Sequence, residues 1–235
     1  WLVLERYNLA HMEFKLHTNF PPELATAWDE LLQQSITNVP FLLYEHLEIW
    51  WKTRGGGEWG AEDRLAIVSA WEGKELIGLA PWFIHCEQEK EILMLLGSRE
   101  ICDYLDLIVK PENLRSFVGQ LAIFITSPDF PGWDQIVFHN LIESSPTIGI
   151  LKEVAESHGW QFSGERSKQS PFIQLPGDWN AYLLSIDKKQ RHEIRRKMHR
   201  AEENTLLRWY FVEDGNTINV AANNFIGLMA KDPKK

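Results

Sequence analysis

The sequence predicts a layered α/β fold, a mixed β-sheet flanked by helices, and three observations carry that prediction. Short aliphatic and β-branched runs alternate with segments whose apolar residues recur every three or four positions, the pattern of strands interleaved with amphipathic helices. The chain has 235 residues, 44% hydrophobic and 24% charged, which is enough apolar material for a sizeable core and too much for wholesale disorder. It also carries 11 Trp and 12 Phe, and large rings are first of all a way of filling such a core.

Taken in order, Glu13–His17 alternates as a first strand. Pro21-Pro22 opens a helix with Leu24, Ala27, Trp28, Leu31 and Leu32 on one face. A second helix follows Pro40, with Phe41, Tyr44, Leu47, Glu48 and Trp51 at helical spacing, and Gly55-Gly56-Gly57 stops it. Leu65–Trp71 and Leu76–Phe83 flank Glu72-Gly73-Lys74-Glu75 and predict a hairpin. Glu91–Leu96 and Tyr104–Val109 are two further strands, separated by the loop Gly97–Asp103. Pro111 opens a helix to Ile125, Gln135–His139 is a strand and Thr147–His158 a helix. Trp160–Ser163 and Phe172–Leu175 read as extended segments.

The character then changes. Asp178 caps a short helix, Asp187 a longer one running to Glu203, Leu206–Val212 reads as a strand and Thr217–Ala230 as another helix. The expected organisation is a leader or non-native extension over 1–12, an amino-terminal lobe over 13–177, a basic helical connector over 178–204, and the start of a truncated second lobe over 205–235.

Charge and cysteine content narrow the function classes. The formal charge of −9 argues against DNA binding or a membrane-surface coat. No apolar run approaches the roughly 18 residues of a membrane helix, and the first residues lack the basic and apolar regions of a signal peptide. Cys86 and Cys102 read as free thiols of a cytoplasmic protein, with a disulfide between them left open. No His or Cys spacing suits a metal, so none is expected, and no GxSxG, Walker A or GxGxxG string occurs. The eight His lie singly, and His46, His85 and His139 read as surface or partner positions rather than members of a catalytic pair.

Two local features remain. Lys188, Lys189, Arg191, Arg195, Arg196, Lys197 and Arg200 stand against Glu193 alone, so 188–200 carries +6 and the rest of the chain −15. On a helix, Ile194, Met198 and Ala201 form a thin apolar stripe with cationic flanks. Arg forks suit phosphate or carboxylate, and a solvated connector paired with the acidic remainder explains the same pattern. The second feature is Ile101-Cys102-Asp103-Tyr104-Leu105-Asp106, where a carboxylate and a phenol at a loop-to-strand junction could orient a polar acceptor. A turn Asp beside an interfacial Tyr is the plainer account.

Taken together and in order, several strings form a set: Pro40-Phe41 with Tyr44-Glu45 and Trp50-Trp51, Leu76–Pro81, Ser98 with Asp103–Asp106, Pro171–Leu175, Trp179 with Tyr182-Leu183, and Lys188–Lys197. This set, spread over about residues 13 to 230, resembles the BioF2-like acetyltransferase domain of the GNAT superfamily. That group includes the CelD (BcsL) proteins of cellulose biosynthesis and is related to the FemAB peptidoglycan ligases.

The resemblance implies two GNAT-like lobes joined by the basic segment, with acetyl-CoA or another acyl-CoA as co-substrate. It places the coenzyme site in the second lobe, of which the chain holds only the start. Acyl transfer to a small-molecule or glycan-precursor acceptor, by direct attack in a ternary complex, is the implied activity of the whole protein, the fragment alone being inactive. Asp103 and Tyr104 would then orient the acceptor, and Arg191, Arg195 and Arg196 would hold its anionic groups; no residue is nameable as catalytic. A GNAT coenzyme loop has Q/R-x-x-G-x-G/A, and the nearest strings, Arg54–Trp59 and Gln161–Arg166, end in Trp and Arg. The alternatives are a Fem-like ligase that takes aminoacyl-tRNA on the basic helix, and a non-catalytic binding or scaffold lobe.

Overall fold

The computed structural model describes residues 11–167, 169–204, 208 and 210–231. They form a mixed α/β fold with two sheets flanked by helices. The chain divides into two compact units, Trp1–Ser170 and Pro171–Lys235. Of the expected leader 1–12 only His11 and Met12 are described, and Leu206, Leu207 and Trp209 of the expected strand 206–212 lie outside the described residues.

In the first unit β1 is Glu13–His17, as its alternation predicts. After a 3₁₀ turn at Pro22–Leu24, α1 (Ala25–Leu32) buries Trp28, Leu31 and Leu32. The helix predicted from Pro40 starts as another 3₁₀ turn and becomes α2 (Tyr44–Lys52), which buries Trp50 and leaves Trp51 half-buried. The short α3 (Arg54–Gly57) has left-handed φ of 62° at Gly55 and 76° at Gly56, so the glycines end the helix as expected.

The spine of the unit is a long hairpin with a break in each arm. One arm is β2 (Arg64–Leu65) and β3 (Ile67–Glu72), parted at Ala66; the other is β4 (Glu75–Ala80) and β5 (Trp82–Glu87), parted at Pro81. The run Leu76–Phe83, read as one strand, is therefore two. Proline has no N–H for the ladder. Its carbonyl still accepts from the Leu96 amide at 2.7 Å, and the Trp82 carbonyl accepts from the Ala66 amide at 2.9 Å. Hydrogen bonding thus continues across the break while the neighbours change.

With β6 (Lys90–Leu95), β7 (Ile108–Val109) and β8 (Gln135–Val137), one sheet has the order β1-β3-β4-β7 and the other β2-β5-β6-β8. All pairings are antiparallel except β6 with β8, where Leu93 lies beside Ile136. The strand predicted over Tyr104–Val109 shrinks to two residues. Its first part crosses from one sheet to the other, and the Leu105 amide donates to the Asn140 carbonyl at 3.0 Å instead of to a ladder. Trp160–Ser163 and Phe172–Leu175, predicted extended, belong to no strand.

The helix α4 (Leu114–Ile125) buries Leu114, Phe117, Val118, Leu121, Ala122 and Ile125 on the face its spacing predicts. Helix α5 (Pro146–Ser157) packs on it, with an Arg115–Glu153 ion pair between them. Phe14 of β1 stacks on Phe124 at 5.2 Å. A Cβ on Gly78 would stand 2.6 Å from the Phe117 ring, which is wholly buried and has no room to withdraw. Gly78→Ala is therefore expected to lose about 1–3 kcal/mol by overpacking, more than the ~0.5–1 kcal/mol that replacing a strand glycine returns. A lowered urea midpoint at unchanged slope is the readout.

The second unit contains α6 (Trp179–Ser185), α7 (Lys188–Glu202) and α8 (Gly215–Met229). Asp178, Asp187 and Asp214 cap them, each accepting from backbone N–H groups of the first turn. Asp214 explains why the last helix starts two residues before the predicted Thr217. Among this unit's described residues only Leu183 is fully buried. No helix of the described residues is long and apolar enough to cross a membrane.

Candidate functional site

The loop from β6 to β7 is the most heavily wired irregular segment of the first unit. It begins at Gly97, whose φ of 132° only glycine adopts readily, and whose Cβ would lie 2.8 Å from the Leu105 side chain. The buried Ser98 hydroxyl accepts the amides of Glu100 and Ile101, both at 3.1 Å. The Arg99 amide donates to Glu58 at 3.0 Å. From the opposite side Asn140 Nδ2 donates to the carbonyls of Ser98, Arg99 and Cys102, the last at 2.6 Å.

Three polar groups sit under this loop. Cys102 is 1% exposed, its Sγ accepts the Ser98 amide at 3.3 Å and lies 3.8 Å from His46 Nε2. Burial, and after it the Glu58 and Asp103 charges, push the thiol pKa up against the opposing Ser98 amide, so it is a neutral thiol and no nucleophile at neutral pH. Burial lowers the His46 pKa. His139 donates from Nε2 to the Gly97 carbonyl at 3.4 Å and keeps a buried, unpartnered Nδ1; burial lowers its pKa to about 4. Both rings are uncharged at pH 7.

Asp106, at the end of the string singled out above, is fully buried and accepts four hydrogen bonds. Thr147 Oγ1 and the Leu107 amide reach Oδ1 at 2.7 and 2.8 Å, and Ser145 and Thr37 reach Oδ2 at 2.7 and 2.9 Å. It ties the loop after α1, the start of β7 and the cap of α5 together. Of the residues predicted to orient an acceptor, Asp103 is exposed on the loop and Tyr104 is half-buried beside it.

A second cluster adjoins the loop through Arg99, whose guanidinium stacks over Trp59 at 5.2 Å. Trp59 meets Phe83 and His85 edge-on, each at 5.1 Å. His85 Nδ1 donates to Asp63 Oδ1 at 2.7 Å, and Asp63 Oδ2 is buried without a partner. Trp50 and Trp51 complete the aromatic wall against Phe83, with the Arg54 guanidinium 3.9 Å over Trp51. Sequence reading set His46, His85 and His139 at surface or partner positions without naming the partner, because each gains it only through tertiary contact.

The other predicted site residues, Arg191, Arg195 and Arg196, lie on α7 in the second unit. Arg196 spends its fork on Glu193, at 2.9 and 2.7 Å, while Arg191 is half-buried and Arg195 exposed. The two predicted groups thus belong to separate compact units.

The described residues do not offer an acyl-CoA pyrophosphate a backbone cradle at the end of β6, because Ser98 and Glu58 already occupy the amides of Arg99, Glu100 and Ile101. Among them no group of three or more His, Cys, Asp or Glu is placed to hold a metal ion.

No family model matches the chain, and no curated protein matches it. Three solved structures are similar at low identity. A ribosomal-protein-alanine N-acetyltransferase from Brucella melitensis biovar Abortus 2308 shares 12% identity over 70% of this chain and 99% of its own, with a TM-score of 0.34. An aminoglycoside acetyltransferase, meta-AAC0020, from an uncultured soil metagenomic sample in complex with sisomicin shares 10% over 70% and 97%, at 0.33. The integron cassette protein VCH_CASS6 from the mobile metagenome of V. cholerae shares 13% over 74% and 98%, at 0.35. Likeness of this degree leaves the function to be argued from the chain's own residues.

Proposed function

We propose that the chain serves the transfer of an acyl group, acetyl first, from acyl-CoA to an amine or hydroxyl of a sugar- or amino-acid-like acceptor, glycan precursors included. The observation that carries the reading is the parting of the strands at Pro81. The neighbour of β5 is β6, the neighbour of β4 is β7, and the loop between them brings exposed and buried polar groups to the gap. Beside it β6 and β8 run parallel, so their carboxyl ends open on the same side, where ligands gather in α/β sheets. Of the strings that resemble BioF2-like transferases, Leu76–Pro81 falls on β4 and its break, and Ser98 with Asp103–Asp106 falls in the loop between β6 and β7.

In this reading Asp103 and Tyr104 orient the acceptor. Arg191 and Arg195, with Arg196 once it releases Glu193, hold anionic groups. The coenzyme is held by the second lobe, as the resemblance implies, and not by the β6 loop, whose amides are occupied.

Calorimetric titration of acetyl-CoA into the full-length protein tests this, and saturable binding below a millimolar is expected. No heat at millimolar coenzyme overturns the proposal. The exposed cations of α7, Lys188, Lys189, Arg195 and Arg200, favour one second reading, a ligase that takes aminoacyl-tRNA. A chain that ignores acetyl-CoA but binds tRNA with an affinity falling steeply in salt takes that reading instead.

A further inference from the structure

Two carboxylates are buried in the first unit and they are treated oppositely. Asp106 receives four hydrogen bonds, which is how a structural carboxylate is stabilised away from water. Asp63, with a side chain only 2% exposed, receives one, from His85, and its second oxygen has none. A buried charge held by a single imidazole is costly, and it has one clear effect on that ring. A carboxylate oxygen accepts, so the Nδ1 it contacts is the protonated nitrogen, and Nε2 is the ring nitrogen left to face a ligand. Nε2 has no partner among the described residues, and the His85 side chain is 23% exposed, so the ring reaches solvent.

The surroundings suit an acceptor. The half-buried Trp59 stands edge-on to His85, and the half-buried Trp51 lies beyond it across the buried Phe83, so two rings with partial access to solvent flank the histidine, a setting that attracts the apolar face of a sugar or a protonated amine. Through Trp59 and Arg99 the pair is joined to the loop that carries Asp103 and Tyr104.

We propose that His85, oriented by Asp63, takes the proton from the acceptor amine or hydroxyl during acyl transfer, an assignment that rests on the acyltransferase reading above. The acceptor's lone pair attacks the thioester carbonyl carbon, the new N–C or O–C bond forms, and the C–S bond breaks with its electrons going to sulfur. The acceptor proton passes to His85 Nε2 and from there to the coenzyme thiolate or to water, so atoms and charge balance. His85 is the catalytic residue and Asp63 the positioning residue.

The test compares the full-length protein with its His85→Gln, His85→Gly and Asp63→Asn variants, following thiol release from acetyl-CoA with glucosamine and with lysine as acceptors. His85→Gln keeps a donor for Asp63 and is expected to lose about 10²–10⁴-fold in kcat, with acetyl-CoA affinity within twofold. Imidazole in the buffer should restore part of the rate to His85→Gly, which a purely structural histidine would not show. Asp63→Asn presents an amide N–H to Nδ1, favours the tautomer protonated at Nε2, and should lower kcat at unchanged acetyl-CoA affinity. His85→Gln within threefold of the parent overturns the assignment and leaves the transferase standing. So does a chain that binds acetyl-CoA yet transfers to neither acceptor. A chain that does not bind acetyl-CoA removes the transferase reading and the assignment with it.

Discussion

Asp106→Ala is expected to destabilise the first unit by about 3–5 kcal/mol, the cost of leaving several buried donors without their acceptor. The substitution leaves the hydroxyls of Thr37, Ser145 and Thr147 and the Leu107 amide without their acceptor, in a place where Ser145, Thr147 and Asp106 are all buried. Each stranded group costs about 1–3 kcal/mol unless water reaches it. Against a whole-domain stability of about 5–15 kcal/mol that is a large share. Asp106→Asn is the informative control. It keeps the volume and one acceptor oxygen, so either the Oδ1 pair or the Oδ2 pair of bonds survives and the loss should be roughly half. Equilibrium urea unfolding of the three proteins gives the comparison. Equal stability of Asp106→Ala and the parent would show that the network is solvated.

Acid is expected to weaken the fold well above the carboxylate range, and the sign follows from the histidines. His139 has a folded pKa of about 4 against 6.5 unfolded, because burial disfavours its cation. Between those values the unfolded chain binds more protons than the folded one. The stabilisation is therefore fully present above pH 6.5 and is lost as pH falls from 6.5 towards 4, at about 1.4 kcal/mol per unit and about 3 kcal/mol in all. His17 and His46 are lowered by burial too and steepen the same slope. Asp106 acts in the other direction. Its pKa is raised, burial outweighing its four hydrogen bonds, so just above its unfolded value of 3.8 the folded state binds the extra proton and part of the loss is offset. The cleanest window is thus pH 6.5 to 5. Urea midpoints measured across it should fall in the parent and fall less in His139→Gln, whatever that variant's stability at pH 7.

Much of the architecture was legible because it rests on local pattern. β1, the buried faces of α1 and α4, and the Asp178 and Asp187 caps of the second unit follow from alternation, three-and-four spacing and capping chemistry. The break at Pro81 was written in the sequence as a proline inside an apolar run, and the run was still long enough to read as one strand. The Asp63–His85 pair was hidden by a single residue. Counting back from the turn at Gly73, where Glu72 lies opposite Glu75 and Trp71 opposite Leu76, sets Asp63 against Ile84. A bulge between Ala70 and Trp71 shifts the register by one, so Arg64 faces Ile84 and Leu65 faces Phe83, and the next step back sets Asp63 against His85. The extra residue is Ile77 on the β4 side, since Ala70 faces Gly78 and Trp71 faces Leu76. Asp103 and Tyr104 were visible as a polar string, whereas Asp106 is legible only once Thr37, Ser145 and Thr147 converge on it from distant segments.

The long hairpin 64–87 also bears on the order in which the first unit folds. Its pairing is local in sequence, closed by a short turn at Gly73, as is that of β5 with β6 across Gln88-Glu89, and the hairpin belongs to both half-sheets at once. Its loop-closure entropy is small, so it can zip early. It then presents two templates of different direction, one for β1 and β7 and one for β6 and β8. Neither half-sheet needs to wait for the other, and the loop between β6 and β7, with Cys102, His46 and Asn140 around it, closes last, when both have formed.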